Sequence, residues 1–191
     1  SGRQSLGGGS TSNSVEILLN DPNFHPLVSP SSPFIPKHQR LMRQKDKIPE
    51  YPEEPSEKDD MTVLKKSWSN FLPPDSVEIF FPPNGFQKQD DASDGCILLS
   101  HAFSLVSKAN DTNFVIEQLD LILRWFTLAL CSRETTSGME ALINFFNDLI
   151  TLLRANNYQF SDKESALVLP YLMEKSGVAK VRTLFFTTFK F

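Results

Sequence analysis

Cysteine is nearly missing from this chain: Cys96 and Cys131 are the only two among 191 residues. That is too few for a disulfide framework, and the pair lacks zinc-site spacing, so a reducing, cytosolic setting is expected. No charge-free apolar run approaches the roughly 18 residues a spanning helix needs, so no membrane partner is expected. The start, Ser1-Gly2-Arg3-Gln4-Ser5, lacks the apolar core of a secretory signal. A basic excess is lacking as well. Nineteen Lys and Arg face 23 Asp and Glu, and the isoelectric point near 5.4 argues against general nucleic-acid binding.

Residues with a chemical task are equally sparse. His25, His38 and His101 are far apart in sequence. His101 lies on an apolar helical face, as expected of a buried, hydrogen-bonded histidine. Cys131 follows a helix C-terminus, where the dipole disfavours thiolate, and Cys96 has no neighbouring base. No glycine-rich phosphate loop, nucleophile elbow or metal-ligand spacing occurs. The expectation is a protein that is not an enzyme and holds neither cofactor nor metal.

Proline is absent from the second half except at Pro170; the other 12 of 13 lie before residue 84. Four of the eight glycines fall within the first nine residues. This asymmetry argues against one domain spanning the chain, and predicts a disordered, Pro-rich linker over 1–60 and a folded domain over 61–191. Residues 1–14 are Gly/Ser-rich and offer nothing apolar to offset ordering entropy. Val15–Leu19 is a short apolar patch, after which Pro22 and Pro26 forbid a continued helix. Residues 37–47 are basic and 50–60 acidic; solvated blocks are the plain reading, and an electrostatic tether to an acidic partner is the functional one for 37–47.

What is present is helical periodicity. Met61, Leu64 and Trp68 share a face of a short helix that Pro73-Pro74 closes, and Ile79-Phe80-Phe81 reads as a packed loop. Ile97, Leu98, His101 and Leu105 fit the next helical face. Asp111 or Thr112 is a candidate cap for a helix over about 113–130, carrying Val115, Ile116, Leu119, Ile122, Leu123 and Phe126. A further helix covers about 138–154, with Leu142, Phe145, Phe146, Leu149 and Leu153. Ser161-Asp162-Lys163-Glu164 has capping-box form and opens a helix through Glu174. A last segment spans 178–191. Pairing 113–130 with 138–154, and 162–174 with 178–191, aligns Leu142 with Leu184 at a step inside the roughly 40–47-residue period of HEAT and armadillo repeats. An unrelated four-helix bundle is the alternative.

Residues 119–130 (LDLILRWFTLAL), 141–158 and 166–175 (ALVLPYLMEK), with the Tyr158–Glu164 stretch between them, resemble a TOG domain of the Minispindles/ch-TOG microtubule polymerases, closest to the fourth TOG domain. Val181-Arg182 also resembles the Val-Arg pair that HEAT repeats carry after the turn. The resemblance covers 119–177 clearly and 61–118 weakly. It implies an all-α, partial HEAT-repeat solenoid preceded by the linker. It further implies binding of the tubulin heterodimer through the turns inside each repeat, here 84–91, 131–137 and 175–182. The implied contact residues are Phe86, Lys88, Arg133, Lys175, Lys180 and Arg182. Microtubule growth and spindle organisation are the implied roles, in the cytoplasm on microtubules and at spindle poles and centrosomes, alongside other domains of a longer chain. Two departures stand out: the family's first turn often carries Trp where this chain has Phe86, and a basic residue near position 129 is Ala129 here. The family domain has more repeats than this chain supplies, so a truncated domain is expected. The alternative function is a helical scaffold that binds another protein and has no tubulin role.

Overall fold

The computed structural model describes residues 13–29, 57–83, 85–86, 91–109, 112–132 and 136–177. Within these, the helices are α1 (Asn13–Leu19), α2 (Glu57–Trp68), α3 (Pro74–Phe80), α4 (Asp91–Ala109), α5 (Asn113–Glu117), α6 (Leu119–Cys131), α7 (Thr136–Ala155) and α8 (Asp162–Glu174). A 3₁₀ turn, Lys175–Gly177, follows α8. The described residues contain helix and connecting turns but no strand, and the class is all-α, as the periodicity predicts.

Local chemistry explains most boundaries. Met61, Leu64 and Trp68 are buried on one face of α2, as their spacing predicts. The prolines that were expected to close a helix instead open one. Pro74 sits in the first turn of α3, where its missing N–H costs nothing and its fixed φ suits the helix. Phe80, expected in a loop, therefore ends a helix and is fully buried. At α8 the capping box is complete: the Ser161 hydroxyl accepts the Glu164 N–H at 3.3 Å, and the Glu164 carboxylate accepts the Ser161 N–H at 2.8 Å. Tyr158 donates its hydroxyl to the other Glu164 oxygen at 2.8 Å, which completes the shell of a carboxylate only 4% exposed.

The helix expected over 113–130 is in fact two, divided at Gln118, whose backbone leaves helical geometry at φ −108°, ψ 7°. The side chain supplies the reason. Gln118 is fully buried and satisfied at both ends: its Oε1 accepts the Trp68 indole N–H at 2.6 Å, and its Nε2 donates to the Leu27 carbonyl at 2.9 Å. Thr112 caps α5 by position but makes no side-chain cap bond; its hydroxyl donates to Asn156 Oδ1 at 3.3 Å instead.

Two layers follow from the packing. α2, α6 and α8 lie side by side, and α4 lies against α7, with α6 and α7 joined as a hairpin. Equivalent positions of successive pairs touch in both layers. Thr127 of α6 donates its hydroxyl to the Leu167 carbonyl of α8, 40 residues on, at 2.9 Å. Phe103 of α4 stacks on Phe145 of α7 at 5.6 Å after a near-equal sequence step. This is the stacking of a HEAT-type solenoid.

Trp125 sits where the layers meet. Its ring is edge-on to Phe80, Phe86 and Phe145, and its indole N–H donates to the Phe80 carbonyl at 2.9 Å. Gly95 of α4 lies directly against that ring: a Cβ there would collide with the six-membered part of the indole, so the close approach requires glycine.

One departure changes the outline of the domain. Residues 13–29, expected as linker, pack on the helices. Val15 and Leu27 are 0% exposed, α1 lies against α4, and the Ser29 N–H donates to the Phe71 carbonyl at 2.9 Å. The prolines stop a helix here, yet they leave an extended strap free to run over the core. Residues 1–12, the charged blocks at 37–47 and 50–56, and the segment 178–191 lie outside the described residues.

Candidate interaction edge

The described helix ends that flank the within-pair turns share one side of the solenoid. The Thr112–Asn156 hydrogen bond ties the chain just before α5 to the chain just after α7, and α4 ends nearby at Ala109. That fixes one edge. The N-terminus of α4, the C-terminus of α6 and the C-terminus of α8 therefore lie along the opposite edge, together with Ser132 and the Lys175–Gly177 turn.

The structure distributes the six expected contact residues unevenly. Phe86 is 2% exposed and packs on Trp125 with ring centroids 5.7 Å apart. The cause is Gly85. Its φ of 66° closes a turn in which the Gly85 N–H reaches the Pro82 carbonyl at 3.0 Å, and the chain then turns inward. Phe86 is thus a core strut and presents no surface to a partner. Lys175 is half-buried at the C-cap of α8, where its backbone N–H meets the Met173 and Tyr171 carbonyls. A cation there also complements the negative end of the helix dipole. Lys88, Arg133, Lys180 and Arg182 lie outside the described residues.

No catalytic constellation is assembled among the described residues. Cys96 and Cys131 form no disulfide. Burial pushes the Cys96 thiol far above its ordinary range, so it is no nucleophile at neutral pH. No group of three His, Cys, Asp or Glu among the described residues forms a metal site, and no described helix is long and apolar enough to cross a membrane. The fold does connect two histidines that the sequence separates: the charge of His101 of α4 acts on His25 of the strap. His101 is half-buried rather than sealed in the core. Sequence reasoning missed Gln118 and Thr127. Their one signal was a polar residue interrupting an apolar helical stripe.

Comparison with known proteins follows the same outline. No family model matches the chain. It is 44% identical over 70 residues to "Protein MOR1" of Oryza sativa subsp. japonica, covering 36% of this chain and 4% of that protein. It is 36% identical over 121 residues to "Protein MOR1" of Arabidopsis thaliana, covering 62% of this chain and 6% of the relative. A solved structure described as "TOG-tubulin binding specificity promotes microtubule dynamics and mitotic spindle formation" superimposes with a TM-score of 0.66 at 20% identity, covering 86% of this chain and 66% of that one. The chain thus spans only a small part of the curated relatives it matches.

Stacked helix pairs and conjoined layers define a TOG-type HEAT-repeat fold. In sequence, the chain is a TOG-type segment related to the Minispindles/ch-TOG proteins.

Proposed function

We propose that this chain is a binding module that engages the tubulin heterodimer along the edge formed by its within-pair turns. The carrying observation is that edge itself. The described ends of α4, α6 and α8 fall on one side of the two layers, in a fold shared with a structure whose description names TOG–tubulin binding. Tubulin is acidic, and the edge turns hold Lys88, Arg133, Lys175, Lys180 and Arg182 in sequence. Such charges steer association and set specificity more than they add affinity. With Phe86 committed to the core, this edge lacks the aromatic anchor that dominates many interfaces, so it binds weakly and acts together with other domains of a longer chain. In that setting the module supports microtubule growth and spindle organisation on cytoplasmic microtubules and at spindle poles and centrosomes, in the position of a fourth TOG domain.

Size-exclusion co-elution of the 191-residue chain with tubulin tests the edge. The Lys175→Glu/Lys180→Glu/Arg182→Glu variant should co-elute with about tenfold lower affinity, an effect that shrinks as salt rises. Equal retention of the two proteins would remove the edge from the interface. The scaffold reading has one observation in its favour. A groove of about 460 Å³ between α1, α3 and α4 combines Ile17, Leu18, Ile79 and Pro82 with Asp75, Glu78 and Asp94. Its acidity suits a basic partner, unlike tubulin. Loss of a lysate partner on Ile17→Asp/Asp75→Lys, with tubulin binding intact, would favour that reading.

A further inference from the structure

We propose that the strap formed by residues 13–29 is a pH-sensitive clasp, held closed by neutral His25 and released when His25 and His101 take up protons. The geometry requires the neutral form. The Nδ1 atom of His25 accepts the Leu27 N–H at 3.2 Å, and a protonated Nδ1 is a donor that cannot accept. The proton on neutral His25 must then reside on Nε2. The bond fixes the backbone at the residue that matters most, because Leu27 is fully buried and its carbonyl accepts the Gln118 side chain. Gln118 in turn holds the Trp68 indole. A proton on His25 therefore loosens a chain of contacts that runs from the strap through the α5–α6 break to α2.

The surroundings of His25 amplify the effect. Its ring is tilted against Phe114 of α5, with centroids 6.0 Å apart. Among the described residues, the titratable group that acts on His25 is His101 of α4, and Lys108 on the same helix acts on His101. On the strap itself, the Asp21 carboxylate accepts the Asn23 N–H at 2.9 Å. Burial first, and His101 second, hold His25 below its ordinary value of 6.5; burial first, and Lys108 second, do the same to His101. The sign follows from linkage: the released strap binds protons more readily than the docked one. Docking is at full strength above pH 6.5 and weakens as pH falls through that value toward the lowered ones of the closed state. A second proton, on His101, adds like-charge repulsion.

Hydrogen exchange and indole NMR on the 191-residue chain at pH 7.5 and 5.5, corrected for intrinsic exchange, test the clasp. The wild type should lose about tenfold in protection at Val15 and Leu27 on acidification, the equivalent of one unit of proton linkage. The Trp68 indole N–H signal should move while that of Trp125 stays in place. His25→Asn keeps an acceptor oxygen near Nδ1 without a titrating group, and should remove most of the pH response, leaving only the share carried by His101. His101→Gln leaves the His25 acceptor in place and should reduce the response without removing it. Equal wild-type protection at the two pH values would overturn the clasp. So would an undiminished response in both variants, or equal movement of the two indole signals.

Discussion

The α6–α7 hairpin and the strap over residues 13–29 are both buried against the same core, yet different forces hold them. The hairpin is built from neighbours in sequence. Leu121, Ile122, Leu123, Trp125, Phe126 and Leu128 of α6 are all sealed in, and Phe126 stacks on Phe146 at 4.6 Å. The strap has two fully buried apolar side chains, Val15 and Leu27, and relies on the polar links to Gln118 and Phe71. Apolar burial is additive and undirected. Buried hydrogen bonds are directional, and losing one partner leaves the other unsatisfied. The hairpin should therefore fail gradually with lost volume, while the strap should fail through the loss of a single atom.

The largest effect tests the hairpin. Trp125→Ala removes the ring shared by both layers together with the hydrogen bond to Phe80, and should cost about 3–5 kcal/mol. Urea denaturation should show one cooperative transition shifted as a whole. A loss below about 1 kcal/mol would mean that Trp125 is not the joint between the layers. Gln118→Ala sharpens the contrast. It orphans the Trp68 N–H and the Leu27 carbonyl, with an expected cost of about 1–3 kcal/mol. Limited proteolysis should then cut within 13–29 while 119–155 stays protected. Simultaneous cleavage of both regions would show that strap and hairpin form one unit. The smallest effect is local: Ser161→Ala at the α8 cap should cost about 1 kcal/mol and raise exchange in the first turn of α8 alone.

Most of the helical part was legible because its signals are local. The capping box at Ser161 and the stripes of α6, α7 and α8 act within a few residues, and the repeat step between pairs follows from them. Errors arose wherever a residue's environment comes from a distant part of the chain. Pro74 reads as a stop or a start depending on which side has something to pack against. Phe86 reads as an exposed turn aromatic until Gly85 turns it inward onto Trp125. Gln118 reads as one polar residue within a helix until Leu27 and Trp68 arrive from elsewhere.

By itself, then, the sequence determined the helical class, the pairing period and the basic character of the turns, since each depends on spacing along the chain or on residue type. Tertiary structure decided what counts as core. It drew the strap into the domain, withdrew Phe86 from the surface and let the charge of His101 act on His25. Burial and charge proximity depend on distances between residues far apart in sequence, and no periodicity carries that information.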